Sequence, residues 1–267
     1  MILNAFIVNS FTDKFASGNP AGVVIYENEL SSTMMQTIAF DINKSETAFV
    51  KKTDKENFYG IRWFSPLKEV PICGHATLAA SKVLYEIHPF DKITFIYANG
   101  SILVEHAKDN MFIMDFPLDT YEKIEIDPVY QVFFPEVHII ECIFGTKTKK
   151  VILRIDDKID IKSIKPDYSS MRNYDGLCKN GIGITKLSNV YDFESRYFNP
   201  WYGVDEDPVT GSMHTVLARF WGDILRKDTL RAYQASQRPG EIKLIIKNDT
   251  VQIIGNAKVV MKGTIEV

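Results

Sequence analysis

Short stretches that are either wholly apolar or alternate apolar with polar residues recur along the chain at 21–26, 47–51, 58–64, 93–98, 102–106 and 111–116. They recur again at 137–143, 151–155, 183–185, 242–246 and 251–254. Runs of this kind are the pattern of β-strands, and the opening residues 1–9 read as one more. Two segments carry helical spacing instead. One runs over 74–88 and places Leu78, Ala79, Val83, Leu84 and Ile87 on more than one face; the other runs over 211–226 and does the same with Met213, Val216, Leu217, Phe220 and Ile224. That spread predicts helices covered on most sides. A third helix, near 32–40, is expected outside the first half. Because the strands come in successive runs and not in strict alternation with helices, the pattern predicts an α+β fold.

The chain also repeats itself. Arg62-Trp63-Phe64-Ser65-Pro66 and Arg196-Tyr197-Phe198-Asn199-Pro200 share an Arg-aromatic-Phe-x-Pro pattern, and each leads into one of the two core helices. The expected architecture is two pseudo-symmetric lobes, each a curved, mainly antiparallel sheet or barrel around a central helix. A polar stretch with proline near both ends, 117–128, reads as the crossover between them. The lobes are then 1–118 and 119–267, with the last strand able to return to the first lobe.

Composition narrows the functional classes. A formal net charge of -3 and a pI near 6.0 supply no basic field for nucleic acid or anionic membranes. No apolar run approaches the roughly 20 residues of a membrane span, and the start lacks a signal-peptide pattern. Three widely spaced cysteines, Cys73, Cys142 and Cys178, suggest neither a disulfide framework nor a thiolate zinc site, so a cytoplasmic location is expected. Lys147, Lys149 and Lys150 read as a solvated hairpin.

The repeated helix starts, Cys73-Gly74-His75 and Thr210-Gly211-Ser212, are where chemistry is expected. Free N–H groups and partial positive charge at a helix N-terminus suit a carboxylate or an oxyanion, and glycine admits close approach. They can also be ordinary glycine-containing helix starts. Glu46 precedes an apolar strand, where glutamates are commonly just solvated. Asp207 can be a helix cap, and His75 a structural histidine. Nucleotide-binding glycine loops, a Gly-x-Ser-x-Gly elbow and a His-Glu-x-x-His zinc motif do not occur, and five scattered histidines show no ligand spacing. Neither a metal nor an organic cofactor is expected.

Six separated motifs then carry a resemblance. Phe15-x-x-Gly18-Asn19-Pro20-Ala21-Gly22-Val23-Val24, Ser45-Glu46-Thr47-Ala48-Phe49, Arg62-Trp63-Phe64-x-Pro66 and Cys73-Gly74-His75-Ala76-Thr77-Leu78-Ala79 lie in the first half. Asp205-Glu206-Asp207-Pro208-Val209-Thr210-Gly211-Ser212-Met213-His214 and Gln234-Ala235-Ser236-Gln237-Arg238 follow in the second. Together they resemble the phenazine-biosynthesis PhzF-like family, most weakly over 120–185.

The resemblance implies a diaminopimelate-epimerase-like fold with its site in a cleft between the lobes, often in a homodimer, and a small-molecule carboxylate substrate. It implies cofactor-independent proton transfer similar to trans-2,3-dihydro-3-hydroxyanthranilate isomerase. Carried onto this chain, Glu46 is the base, His75 and Asp207 are further catalytic groups, and Ser212 binds substrate beside the N–H groups of Gly74 and Gly211. Related racemases use two facing thiols. Here Cys73 is matched in the repeat by Thr210, which disfavours that mechanism. An epimerase of an amino or hydroxy acid, and a non-catalytic binding protein with the same fold, are the alternatives. Arg238-Pro239-Gly240 departs from the two glycines relatives often carry, which stiffens that loop.

Overall fold

The computed structural model describes residues 1–267, the side chain of Asp109 excepted. It divides into two compact units, Met1–Phe116 with Gln252–Val267, and Pro117–Val251. The change of unit thus falls at Pro117, and the end of the chain belongs to the first unit.

In the first unit, β1 (Ile2–Ser10) pairs antiparallel with β2 (Asn19–Tyr26). Helix α1 (Ser32–Ile42) carries the chain to β3 (Glu46–Lys52), which lies parallel to β2 and antiparallel to β4 (Phe58–Phe64). After the two-residue β5 (Glu69–Val70), α2 (Gly74–Ile87) leads to β6 (Lys92–Tyr97), parallel to β4. β7 (Gly100–His106) and β8 (Met111–Pro117) continue antiparallel. The terminal strand Thr250–Glu266 pairs with both β8 and β1. Following these pairings from β1 round to β1 closes a barrel.

Helix α2 supplies much of the core of this unit: Ala76, Leu78, Ala79, Ala80, Val83 and Leu84 are buried. Pro89 follows its C-cap His88 and bars continuation. Helix α1 starts on Ser31, whose side chain accepts from the Met34 N–H, and ends with Asn43 left-handed. It buries Met35, Ile38 and Ala39 in a separate cluster with Val24, Phe49 and Phe64. A strand such as β2 is therefore covered on both faces, which is why its sequence is a continuous apolar run.

The second unit repeats this plan. β9 (Tyr121–Ile124), β10 (Ile139–Gly145) and β11 (Val151–Ile155) are antiparallel neighbours. A long connection containing α3 (Val129–Phe133) joins the first two. Another, with α4 (Tyr168–Arg172), leads to β12 (Ile182–Leu187), parallel to β11. β13 (Phe193–Asn199) returns antiparallel and carries the short β14 (Val204–Glu206). Helix α5 (Gly211–Leu225) then leads to β15 (Thr229–Gln234), parallel to β13, and on to β16 (Gly240–Lys247) and β17 (Thr250–Glu266). Among the described residues, no helix is long and apolar enough to cross a membrane.

One sequence expectation needs correction here. The stretch 117–128 is not wholly a crossover, because Tyr121-Glu122-Lys123-Ile124 forms β9 against β10. The flanking prolines obscured four residues of strand alternation. The hairpin 145–150 exposes Lys147 and Lys149, and its turn is anchored from one side: the buried Asp119 carboxylate accepts from the Lys147 and Thr148 N–H groups and the Thr148 hydroxyl, and Lys147 Nζ donates to Leu118 O.

The repeated arginines show what duplication kept. Arg62 makes a two-pronged contact with Glu69 on β5, and Arg196 makes one with Glu206 on β14, at 2.7 and 2.9 Å. Their surroundings differ. Arg62 and Glu69 are 34% and 44% exposed, whereas Arg196 and Glu206 are 8% and 14% exposed, and Arg196 Nη1 also donates to the carbonyls of Ile161 and Ile164. Arg196→Met leaves a nearly buried carboxylate and two carbonyls without their donor and should cost about 3–5 kcal/mol. Arg62→Met should cost at most about 1 kcal/mol. Denaturant unfolding of the two variants checks the difference.

A second contrast lies one turn into each central helix. Thr77 Oγ1 donates back to the N-cap carbonyl of Cys73 at 2.7 Å, while in α5 His214 Nδ1 reaches the N-cap carbonyl of Thr210 at 2.8 Å. His214 is fully buried beside Phe193, and burial lowers its pKa to about 4. The unfolded chain therefore takes up this proton first as pH falls below about 6.5, and folding stability drops until the folded-state value is reached. Between pH 7.5 and 5 this amounts to about 2 kcal/mol. His214→Gln should flatten that part of the stability–pH curve by this amount in urea unfolding; an unchanged slope would show that His214 does not contribute.

Candidate active site

The first unit brings Glu46 and His75 into contact. Glu46 opens β3, and His75 is the second residue of α2, directly after Gly74. His75 Nε2 lies 3.2 Å from Glu46 Oε2, with side-chain exposures of 6% and 22%. The ring is held from its other side by Asn19, the first residue of β2, whose Nδ2 is 3.2 Å from His75 Nδ1. Ser45 Oγ donates to Asn19 Oδ1 at 3.2 Å, and Ser10 Oγ donates to the His75 carbonyl at 2.6 Å. Three strand ends and a helix start thus converge on one line of polar groups inside an apolar barrel.

Burial lowers the His75 pKa to about 3, so the imidazole is neutral near pH 7. Its contact with Glu46 is accordingly a hydrogen bond and not an ion pair. Cys73, the N-cap of α2, is buried with Sγ 3.5 Å from His75 Nδ1 and 4.0 Å from Nε2.

Glu46, Cys73 and His75 offer oxygen, sulfur and nitrogen donors within 4.8 Å of one another. The sulfur is nearer Nδ1, however, while the carboxylate is on Nε2. Spacing along the sequence could not reveal this group, because its members come from different elements.

The second unit holds Asp207, Gly211 and Ser212. Asp207 follows β14, and its N–H donates to Tyr197 O at 3.0 Å. Thr210, the N-cap of α5, donates its hydroxyl to Asp207 Oδ2. Gln234 ties this bend together: its Oε1 accepts the Thr210 N–H at 2.8 Å and its Nε2 donates to Asp207 O at 2.7 Å. Ser236 Oγ adds a bond to Pro208 O. Gly211 and Ser212 are the first two residues of α5, in the positions that Gly74 and His75 occupy in α2. Neither N-cap, Cys73 nor Thr210, makes a side-chain capping hydrogen bond, and neither helix has an acidic residue in its first turn. Their N-termini keep the positive end of the dipole available to an anion.

Sequence reasoning missed the roles of Asn19, Ser45, Gln234 and Ser236. All four lie within motifs it singled out, but only the folded chain shows which donor meets which acceptor.

Comparison with known proteins follows the same lines. The family described as "Phenazine biosynthesis-like protein" matches residues 8–263. A Pseudomonas aeruginosa protein named as an uncharacterized isomerase is 36% identical, covering 99% of this chain and 99% of that one. The crystal structure of a phenazine biosynthesis protein of the PhzF family from Enterococcus faecalis superposes with a TM-score of 0.92 at 35% identity, covering 100% of both chains. A hydroxyproline epimerase from Agrobacterium vitis shares the fold alone, with a TM-score of 0.64 at 7% identity over 99% of this chain and 92% of that one. The α+β architecture is thus that of the diaminopimelate-epimerase-like proteins, and the chain belongs to the phenazine biosynthesis-like, PhzC-PhzF family.

Proposed function

We propose that this protein is a cofactor-independent isomerase that moves a proton between carbons of a small carboxylate substrate, with Glu46 as the base. The observation that carries the reading is the 3.2 Å contact between the Glu46 carboxylate and the neutral, buried His75. An exposed glutamate with a pKa of about 4.3 is a weak base at neutral pH and has many orientations. Glu46 is mostly buried and fixed by a hydrogen bond, which removes the orientational cost. It takes a proton from one carbon, becomes a carboxylic acid, and returns the proton to another carbon, so that it ends as it began. The relative named as an isomerase supports the reaction class.

The remaining roles follow from the chemistry of each group. The N–H groups at Gly74 and His75, and those at Gly211 and Ser212, which have no partner within their own helices, suit the substrate carboxylate or an enolate-like oxygen that gains charge in the transition state. The Ser212 hydroxyl adds a donor. Asp207, held by Thr210 and Gln234, is assigned the substrate's amino or hydroxyl group.

A racemase working through two thiols is poorly supported. The N-cap of α5 is Thr210, whose hydroxyl already donates to Asp207, and threonine does not ionise near neutral pH.

Incubation with trans-2,3-dihydro-3-hydroxyanthranilate in deuterated water, followed by NMR, tests the reading. The wild-type protein should isomerise the compound and incorporate deuterium, while Glu46→Gln should lose about 10³-fold or more in kcat with its fold intact. Ser212→Ala should act mainly on KM, raising it by about 10-fold, the equivalent of a lost hydrogen bond to a charged group. Near wild-type turnover by Glu46→Gln would remove Glu46 as the base. Inversion at one carbon without a shift of the double bond would make the protein an epimerase.

A further inference from the structure

The line of polar groups does not end at His75. A carboxylate has only acceptors, so the hydrogen between His75 Nε2 and an ionised Glu46 has to belong to Nε2. A neutral imidazole carries a single N–H, and Nδ1 is then an acceptor in need of a donor. Asn19 Nδ2 is 3.2 Å from Nδ1 and is the side of the amide that can donate. With the amide turned over, its oxygen would draw the hydrogen to Nδ1, and the lone pair of Nε2 would face the carboxylate.

The Ser45 hydroxyl donates to Asn19 Oδ1, the arrangement that goes with an amide whose Nδ2 is turned toward His75. Asn19 is fully buried and held in the strand pair Ser10↔Asn19, and Ser45 is the residue directly before Glu46. We propose that Asn19 is a positioning residue that fixes the Nε2–H tautomer of His75, and through it the orientation of the Glu46 carboxylate.

The polarity of each step is set from the Glu46 end, where an ionised carboxylate can only accept. Ser45 gives a hydrogen to Asn19, Asn19 gives one to His75, and His75 gives one to Glu46. Each group uses its acceptor toward Ser45 and its donor toward Glu46, so the chain delivers one well-directed donor to the base. The catalytic half of the inference rests on Glu46 being the base; the tautomer itself does not.

Asn19→Asp tests it with almost no change in shape, because it replaces the donor at Nδ1 with an acceptor. Protein labelled with ¹⁵N-histidine distinguishes protonated from bare ring nitrogens, and the His75 signals are identified by their loss in His75→Gln. The wild type should show a protonated Nε2 and a bare Nδ1 between pH 6 and 8. Asn19→Asp should show a protonated Nδ1, with kcat lowered on the order of 100-fold or more and KM little changed. A wild-type Nδ1–H tautomer would overturn the proposal even if Asn19→Asp failed to fold, and so would an Asn19→Asp protein that kept a bare Nδ1. Should the tautomer behave as stated while Glu46→Gln still turns over substrate, the assignment of the base fails and the positioning role of Asn19 stands.

Discussion

The hydrogen bond between His75 and Glu46 exists only because different parts of a closed barrel deliver its two ends to one place. Glu46 is fixed by the parallel pairing of β3 with β2, which sets it opposite Ala21. His75 is fixed by the start of a helix whose later residues, Leu78, Ala79 and Val83, are packed in the core. Neither can shift without disturbing buried contacts on every side, since close-packed interiors tolerate little displacement. On the proposed mechanism this rigidity serves chemistry: a base that abstracts a proton from carbon gains most when its direction is settled before the substrate arrives. The same burial that lowers the His75 pKa keeps the ring a neutral donor, so the carboxylate is oriented without being neutralised by a nearby cation.

Duplication supplied the frame, and divergence supplied the chemistry. Each unit has an arginine paired with a glutamate on a short following strand, and then a buried helix without a capping side chain at its N-terminus. On that shared frame the residue types part company. Cys73 and His75 open one helix, Thr210 and Ser212 the other, while the turn that Thr77 stabilises in α2 is stabilised by His214 in α5. One helix start faces a carboxylate, Glu46. The other is joined to Asp207 through Thr210 and Gln234. Equivalent positions thus present different donors and acceptors.

Much of this plan was legible in the sequence, for identifiable reasons. The central helices announced themselves because residues buried on all sides are apolar on all sides, as Leu78, Val83, Val216 and Phe220 show. A strand covered on both faces, such as β2, reads as an apolar run from Pro20 to Tyr26. β13 and β15 did not, because charged and polar residues interrupt them: Arg196 is buried on β13 only through Glu206 and two carbonyls. β9 was masked by nearby prolines. At the site, residue types and the family resemblance pointed to Glu46, His75, Asp207 and Ser212. The supporting bonds from Asn19, Ser45 and Gln234 join residues 24 to 56 positions apart, and no local pattern encodes them. The mixed Glu46, Cys73 and His75 group likewise arises only when a strand end and a helix start are brought together.

The most direct test of the oriented base is to locate the hydrogen itself. Neutron diffraction from a crystal of the deuterium-exchanged wild-type protein at neutral pH would show whether it sits on the ring or on the carboxylate. A deuteron on His75 Nε2 pointing at Glu46, with none on the carboxylate, is the expected result. A deuteron on Glu46 with a bare Nε2, or a carboxylate turned away from the ring, would contradict the claim that His75 holds Glu46 ready as a base.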